Sequence, residues 1–247
     1  MLLAREASTA VIFRRGPSRW TRLYLWNTRT DEITPGSWFA GRLYELMSDL
    51  SPDGRHLTYV ARNESKRRQE AARTSFGVDQ LSAWTALCRP PWIKALGLWN
   101  ASDGWSGGAI FSDNRTLELQ HSKESSKPLV ELSAFTVKFI QRSERKSIML
   151  STLQRCGWQI LPSLLIKDDT RAVYLLILRK KQVQLTLSRN SKYALIKTFS
   201  LTGTDLSADL DSATWADLDQ RGRLVYARGG CLYALHRDVR LNWQIST

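Results

Sequence analysis

Apolar residues recur at every second position in short stretches of the chain, and several of these stretches follow a compact polar turn. After the turn at residues 51–54, Leu57 and Tyr59 continue such an alternation, which has the period of a β-strand. Pro52 presets the backbone of the turn, and Gly54 can adopt the positive φ angle of a tight corner without steric cost. The pattern therefore predicts a β-hairpin.

The hairpin pattern recurs along the chain. Each copy has an apolar entry, a turn that contains Asp or Asn, and a second apolar stretch. The copies span residues 49–60, 109–119, 165–174 and 215–226. Their anchor residues, which lie 61, 55 and 50 positions apart, are Asp53, Asn114, Asp169 and Asp219. Short strands repeated every 40–60 residues or so are typical of the blades of a β-propeller.

A second element supports the repeat. Residues 20–27 are similar to residues 92–100, and a partial third copy lies at residues 229–235. Dividing 247 residues by a period of about 50 gives about five units. The sequence therefore predicts an all-β, β-propeller-like single domain over residues 1–247, closed by pairing of an N-terminal strand with the last blade. The alternative is an irregular β-sandwich with coincidental Asp-Gly turns.

One segment interrupts the β pattern. Residues 63–87 are rich in Glu, Lys, Arg, Gln and Ala, which favours a polar excursion from the sheet, either helical or disordered. Its charged side chains are expected to form a solvated face in both cases. These residues are Arg67, Arg68, Glu70 and Arg73.

Two resemblances agree with this fold. Ser51, Pro52, Asp53 and Gly54, with the alternation that follows them, resemble the blade motif of TolB-type, WD40-like β-propellers. A longer stretch, about residues 11–120, is similar to a family of uncharacterised bacterial proteins. The segments that carry this similarity are residues 14–20, 35–39, 41–45, 89–91 and 107–108. The motif implies a propeller, and the bacterial family implies no function that could be carried over.

The composition gives a basic, core-forming chain. It has 36 Lys and Arg against 23 Asp and Glu, a net charge of +13, and 43% hydrophobic residues. These values exclude a disordered, collagen-like or disulfide-rich chain. The three cysteines and the absence of a signal-like or membrane-spanning stretch lead us to expect a cytoplasmic protein with reduced thiols and no membrane partner.

The positive charge is concentrated in residues 138–197, which hold 13 basic and three acidic residues. Basic residues near Phe135 and Phe139 would suit a nucleic-acid groove. However, no recognition-helix, zinc-finger or RNA-binding motif accompanies them. Arg179, Lys180 and Lys181 also fit the tip of a hairpin, where lysines discourage sheet aggregation. A solvated basic face is the favoured interpretation.

The sequence contains none of the common catalytic or metal-binding motifs. The three histidines are not spaced as metal ligands, and the chain has no CxxC pair, nucleophile elbow or phosphate-binding loop. We therefore expect no metal and no cofactor. Asp168 and Asp169 fit a turn better than an acid–base pair, and Cys88 fits a buried thiol better than a reactive one.

The tryptophans supply the candidate binding residues. Most of the ten lie in or beside apolar strands, so core packing is their expected role. Trp38 and Trp105 lie in Gly-rich turns instead, and together with Phe39 and Arg42 they are the predicted binding surface. For a nucleic-acid ligand the candidates are Arg179, Lys180 and Lys181.

The predicted function is a non-catalytic binding or scaffold module that recognises a protein, or another macromolecular partner, through one propeller face. One alternative is nucleic-acid binding through residues 138–197. A second alternative is a hydrolase or lyase on a propeller scaffold. Its sign would be a histidine and two carboxylates gathered at one pocket.

Overall fold

The computed structural model describes most of the chain and divides it into two compact units. Unit 1 is Met1–Thr152 and unit 2 is Leu153–Thr247. The described residues are 1–78, 81–101, 107–121, 127–140, 147–161, 164–168, 171–189, 195–202, 210–236 and 239–244. Within residues 164–168, 171–175, 189, 195, 236 and 239–244, the description covers the backbone only.

Unit 1 contains three small sheets. Sheet 1 consists of β1 (Leu2–Leu3), β2 (Thr9–Arg15), β3 (Trp20–Asn27) and β4 (Ile33–Ala40). Sheet 2 consists of β5 (Arg42–Leu50), β6 (Leu57–Arg62), β7 (Ala83–Arg89) and β8 (Trp92–Asn100). Sheet 3 consists of β9 (Ala109–Phe111), β10 (Thr116–Leu119) and β11 (Thr136–Phe139), and its β10–β11 pair is parallel.

Unit 2 contains two further sheets. Sheet 4 consists of β12 (Gln159–Ile160), β13 (Leu164–Asp168), β14 (Arg171–Lys180), β15 (Val183–Arg189) and β16 (Leu195–Leu201). Sheet 5 consists of β17 (Trp215–Leu218), β18 (Leu224–Arg228), β19 (Cys231–His236) and β20 (Val239–Gln244). The helices are α1 (Lys66–Phe76) and α2 (Ile148–Arg155).

The five small sheets follow one another along the chain as the blades of a β-propeller, so the predicted fold class is confirmed and the β-sandwich alternative is not. The predicted closure would join the two units and stays a prediction. β1 pairs with β2 of its own sheet, and β20 pairs with β19. A turn closed by the Ala4 N–H and the Thr9 carbonyl, at 2.8 Å, returns the N-terminal strand onto β2.

The recurring hairpin is confirmed at the first two strands of sheets 2, 3 and 5. In each, the residue after the first strand donates its N–H to a carbonyl at the start of the second strand or directly before it. These pairs are Ser51–His56 at 2.8 Å, Ser112–Thr116 at 3.0 Å and Asp219–Arg223 at 3.0 Å. Asp219 therefore occupies the position of Ser51, two residues away from the predicted alignment with Asp53. In the remaining copy, Asp168 pairs with Arg171, and Asp169 lies outside the described residues.

The second repeat element holds for two of its three copies, because residues 229–235 overlap β19, the third strand of sheet 5, and residues 20–27 also form a third strand. Residues 20–27 form the third strand of sheet 1, whereas Trp92–Asn100 forms the fourth strand of sheet 2. The similarity of these two segments reflects a common need for apolar residues on a sheet face, since they do not hold equivalent places in their sheets.

The polar excursion is shorter than predicted. Ser65 caps α1 with its Oγ, which accepts the Arg68 N–H, and Gly77 ends the helix with a φ of 65°. β7 begins at Ala83 and is buried through Cys88, so residues 83–87 belong to the sheet. Arg68 is not on a solvated face, because its guanidinium stacks 4.5 Å from the centre of the Trp84 ring and burial lowers its pKa.

The core of unit 1 is built from inward-facing residues of sheets 1 and 2, among them Leu23, Leu57 and Trp84. Cys88 belongs to the same cluster, and burial raises the pKa of its thiol. The prediction of a buried, unreactive cysteine is therefore consistent with its environment. Within the described ranges, no helix is both long and apolar enough to span a bilayer.

Candidate functional site

A cavity of about 770 Å³ opens in unit 1 where three chain segments meet. The first segment is the β2–β3 hairpin, the second is the β4–β5 junction, and the third leads from β6 to the cap of α1. The lining residues are Arg15, Ser18, Arg19, Trp20, Thr21, Ala40, Gly41, Arg42, Leu43, Tyr44, Arg62, Asn63, Glu64 and Ser65.

Local backbone geometry brings these segments together. In the β2–β3 hairpin the Gly16 N–H donates to the Trp20 carbonyl at 2.8 Å, and Ser18 has a positive φ of 58°. At the β4–β5 junction the Gly41 N–H donates to the Arg19 carbonyl at 2.8 Å. Gly41 has a φ of 150°, and a Cβ there would lie 2.7 Å from the Arg62 carbonyl oxygen. Glycine is therefore required where the cavity wall turns.

The cavity is positively charged. It is lined by four arginines, and two of them have carboxylate partners: Arg15 with Glu45 at 3.1 Å and Arg62 with Glu64 at 2.6 Å. For Arg19 and Arg42, no described carboxylate lies within ion-pair distance. The Arg42 guanidinium instead lies 5.0 Å from the centre of the Tyr44 ring. The site combines unpaired guanidinium groups with aromatic walls.

A second feature, which we call the aromatic surface, adjoins the cavity and consists of Trp20, Arg22 and Trp38. The two indole rings meet edge to face with centroids 6.3 Å apart, and the rings remain 48% and 42% exposed. The Arg22 guanidinium lies 5.3 Å from the Trp38 ring centre, and its Nε donates to the Gly36 carbonyl at 3.3 Å. Because Trp20 also lines the cavity, the two features are continuous.

The four residues predicted as a binding surface have separate locations. Trp38 is exposed on the aromatic surface and Arg42 is exposed in the cavity. Phe39 does not lie on a binding surface with these residues. The alternation of β4 turns its side chain inward, where its ring packs edge to face against Trp84 with centroids 5.9 Å apart. Trp105 lies outside the described residues.

Sequence reasoning placed Trp20 and Trp92 in the core, and both are exposed, Trp92 by 57%. Each is the first residue of its strand, directly after a turn. At that position one side of the ring has no neighbouring strand to pack against. Three of the four cavity arginines, Arg15, Arg19 and Arg62, were missed as well. Arg15 and Arg19 flank a Gly-Pro-Ser turn, and that arrangement is a usable signal for side chains converging on a hairpin end.

The predicted basic tip is a hairpin, as expected, with Lys181 exposed at a positive φ of 51° between β14 and β15. The expected solvated face does not include Lys180. Its Nζ lies 2.7 Å from Oδ1 of Asp217, and the Trp158 indole N–H donates to Oδ2 at 3.3 Å. Burial raises the pKa of Asp217, and the Lys180 ammonium opposes that rise. Lys180 therefore stabilises unit 2, which leaves Arg179 and Lys181 exposed at this tip.

A histidine gathered with two carboxylates would indicate the hydrolase alternative. The described lining of the cavity does not contain this grouping. The described cavity lining contains no histidine, and its one carboxylate, Glu64, is paired with Arg62. His56 and His121 are both 4% exposed, and Nε2 of His121 lies 2.8 Å from the Thr85 hydroxyl. No cluster of three or more potential metal-ligating side chains occurs among the described residues.

The position of His56 leads to a pH-dependent stability. Burial lowers its pKa from 6.5; Arg115, Arg89 and Arg55 act in the same direction, and Asp53 opposes them. A base whose pKa is lowered by folding stabilises the folded state above its unfolded pKa, and this contribution is lost as the pH falls. We expect the free energy of unfolding to fall more steeply below pH 6.5 in the wild type than in His56→Gln. Urea unfolding at several pH values measures both slopes, and equal slopes would show that His56 is not the group responsible.

Comparison with known proteins identifies no family. No family model matches the chain, so the resemblance to uncharacterised bacterial proteins is not confirmed, and no curated protein matches it. A solved structure provisionally assigned as a 6-phosphogluconolactonase, from Bacteroides fragilis, matches with a TM-score of 0.19 and 10% identity. The match covers 96% of this chain and 66% of that one. A likeness this low supports no statement about activity, so the fold rests on the five sheets themselves.

Proposed function

We propose that this chain is a non-catalytic binding module that recognises a protein partner through the aromatic surface. The observation that carries the proposal is the packing of Trp20 against Trp38, with Arg22 stacked on Trp38, at a site where both rings stay about half exposed. Tryptophan and arginine are the residues most enriched among those that dominate the energy of protein interfaces. Aromatic residues and arginine are enriched at the centre of protein interfaces relative to the rest of the surface.

The charge around the aromatic surface defines the partner further. Arg14 and Arg22 lie directly opposite each other on β2 and β3, and Arg22 in turn lies opposite Trp38 on β4. Two like charges in directly opposed positions weaken a sheet unless something offsets them. A partner with acidic side chains around an apolar centre would offset them, and it would associate faster at low salt.

The role of Trp38 predicts a selective loss of binding. Proteins retained by the wild-type chain are identified, and one of them is purified for comparison of the wild type with Trp38→Ala. Its affinity is then measured by calorimetry. We expect Trp38→Ala to weaken binding by about 30-fold or more, the effect of losing a residue worth about 2 kcal/mol at an interface.

The matched control for this experiment is Ile196→Ala, which removes an apolar side chain of similar exposure, 46%, from sheet 4. This control should bind the partner with wild-type affinity. Unchanged thermal unfolding of both variants excludes a folding defect. Equal affinities of the wild type and Trp38→Ala would overturn the proposal.

A further inference from the structure

We propose that the arginine cavity is a second binding site, which adjoins the aromatic surface through Trp20, and that its ligand is a small phosphorylated molecule with a flat ring, of the nucleoside phosphate class. This inference goes beyond the proposed protein-binding role, because it concerns the cavity and its unpaired arginines rather than the aromatic surface. Four features of unit 1 support it: free guanidinium groups, an opposed arginine pair, a helix N-terminus and an aromatic wall.

The free guanidinium groups supply the donors. Arg19 and Arg42 are exposed in the cavity lining, and no described carboxylate lies within ion-pair distance of either. A guanidinium presents parallel N–H groups that match two oxygens of one phosphate. Because Glu45 and Glu64 already engage Arg15 and Arg62, the cavity retains net positive charge at Arg19 and Arg42.

The opposed arginine pair lies on adjacent strands. Arg42 on β5 is directly opposite Arg62 on β6, and like charges in that position destabilise a sheet. Glu64 partly compensates for Arg62 through two hydrogen bonds, at 2.6 and 3.2 Å. A dianionic ligand placed between the two arginines would remove the remaining repulsion.

The N-terminus of α1 adds to the positive potential. Ser65, the cap residue of this 11-residue helix, lines the cavity, and the first turn contains no acidic residue. Instead, Lys66 and Arg67 open the helix and are exposed. Helix N-termini carry partial positive charge and favour anions. Glu64, directly before the cap, is the one carboxylate in the described cavity lining, and Arg62 already engages it.

The aromatic wall distinguishes a nucleoside phosphate from a bare anion. Trp20 and Tyr44 line the same cavity as the arginines, and the Trp20 ring is 48% exposed. Nucleobases stack on exposed rings such as that of Trp20 without a need for specific hydrogen bonds, whereas the Tyr44 ring is already contacted by the Arg42 guanidinium. The cavity volume of about 770 Å³ lies within the range of small-molecule sites, and inorganic phosphate would fill only a small part of it.

Calorimetric titration with AMP, adenosine and inorganic phosphate tests the proposal. We expect AMP to bind more tightly than either of its parts, and Arg42→Gln to weaken AMP binding about tenfold or more, since charge-assisted bidentate contacts are the strongest available. Arg42→Lys should give an intermediate loss, because it retains the charge without the paired donors. The control is Arg55→Gln, which removes an arginine with an 80% exposed side chain outside the cavity.

The outcomes of this titration are separable. No binding of AMP, or equal AMP affinity in the wild type and Arg42→Gln, would overturn the proposal. Inorganic phosphate that binds as tightly as AMP would contradict the nucleoside class. Because the protein partner is tested with Trp38→Ala, the AMP site can fail while the aromatic surface stands, and the reverse also holds.

Discussion

Replacement of Asp219 by Ala is expected to lower the free energy of unfolding of unit 2 by about 3–5 kcal/mol, the range for breaking one side of a buried ion pair. Asp219 Oδ2 lies 2.7 Å from Arg223 Nε, and their side chains are 0% and 1% exposed. The other oxygen accepts the N–H groups of Arg221 and Arg223, both at 2.9 Å. The substitution removes all three contacts, including the carboxylate that faces the buried Arg223 guanidinium.

The matched control is Arg223→Met, which removes the buried cation and retains similar side-chain volume. In this variant Asp219 keeps its two backbone donors, so we expect a smaller loss than in Asp219→Ala. Chemical unfolding, monitored by hydrogen exchange of the β18 amides, measures the free energy of unfolding of both variants. A loss below about 1 kcal/mol in Asp219→Ala, typical of an exposed pair, would contradict this account of the hairpin.

Substitution of Gly36 by Ala is expected to destabilise unit 1 by about 3 kcal/mol, at the upper end of the overpacking range. A Cβ at this position would overlap Cβ and the carbonyl oxygen of Pro91 and would lie 2.8 Å from its carbonyl carbon. The obstacle is backbone, which cannot rotate away as a side chain can. Ser37 also donates its N–H to the Pro91 carbonyl at 3.1 Å, so a shift of β4 would break a contact with sheet 2.

Gly36→Ala should affect function as well as stability, because Trp38 and the Arg22 contact with the Gly36 carbonyl lie on the same strand segment. The control is Gly77→Ala, where a Cβ would have no neighbour within 4 Å but the φ of 65° remains. This control substitution should lower the free energy of unfolding by about 1 kcal/mol, because only backbone strain opposes it. Thermal unfolding measures the stability of both variants. Equal losses of stability would show that the clash with Pro91 does not determine the effect of Gly36→Ala.

Turn chemistry made the hairpins predictable from sequence. The Ser-Pro-Asp-Gly turn encodes its own geometry, because the Ser51 hydroxyl bonds to Asp53 at 2.6 Å and Gly54 has a φ of 71°. These contacts span a few residues, so a sequence pattern reveals them. The parallel pairing of β10 with β11 joins strands that are distant in sequence, and the local turn that returns β1 onto β2 does not follow the repeated pattern.

The candidate site was only partly predictable, for similar reasons. Their glycine-rich neighbours marked Trp38 and Arg42. Adjacent residues of a strand point to opposite faces, so Trp38 and Phe39 lie on different faces of β4. Only a correct assignment of β4 as a strand reveals that Phe39 packs on Trp84. The pairing of Lys180 with Asp217 joins residues 37 positions apart. No local pattern predicts such a contact, so a lysine in a basic run was interpreted as solvated.

Buried carboxylates show how tertiary contacts fix the sheets within each unit. Asp49 and Asp217 hold equivalent places, two residues before the matched hairpin positions of Ser51 and Asp219. Oδ2 of Asp49 accepts the Phe111 N–H at 2.8 Å and thereby links sheets 2 and 3. In unit 2, Asp217 links sheets 5 and 4 through Lys180. This equivalence becomes visible only after the hairpins are aligned by their hydrogen bonds.

Hydrogen exchange of the chain, alone and with its purified partner, tests the central claim most directly. If the partner docks on the aromatic surface, the exchange of amides in β3 and β4 around Trp20, Arg22 and Trp38 should slow in the complex, because bound protein excludes water from that face. Amides at the tip around Lys181 should exchange as before. Protection at that tip, with no change in β3 and β4, would contradict the account and assign the binding role to the basic hairpin instead.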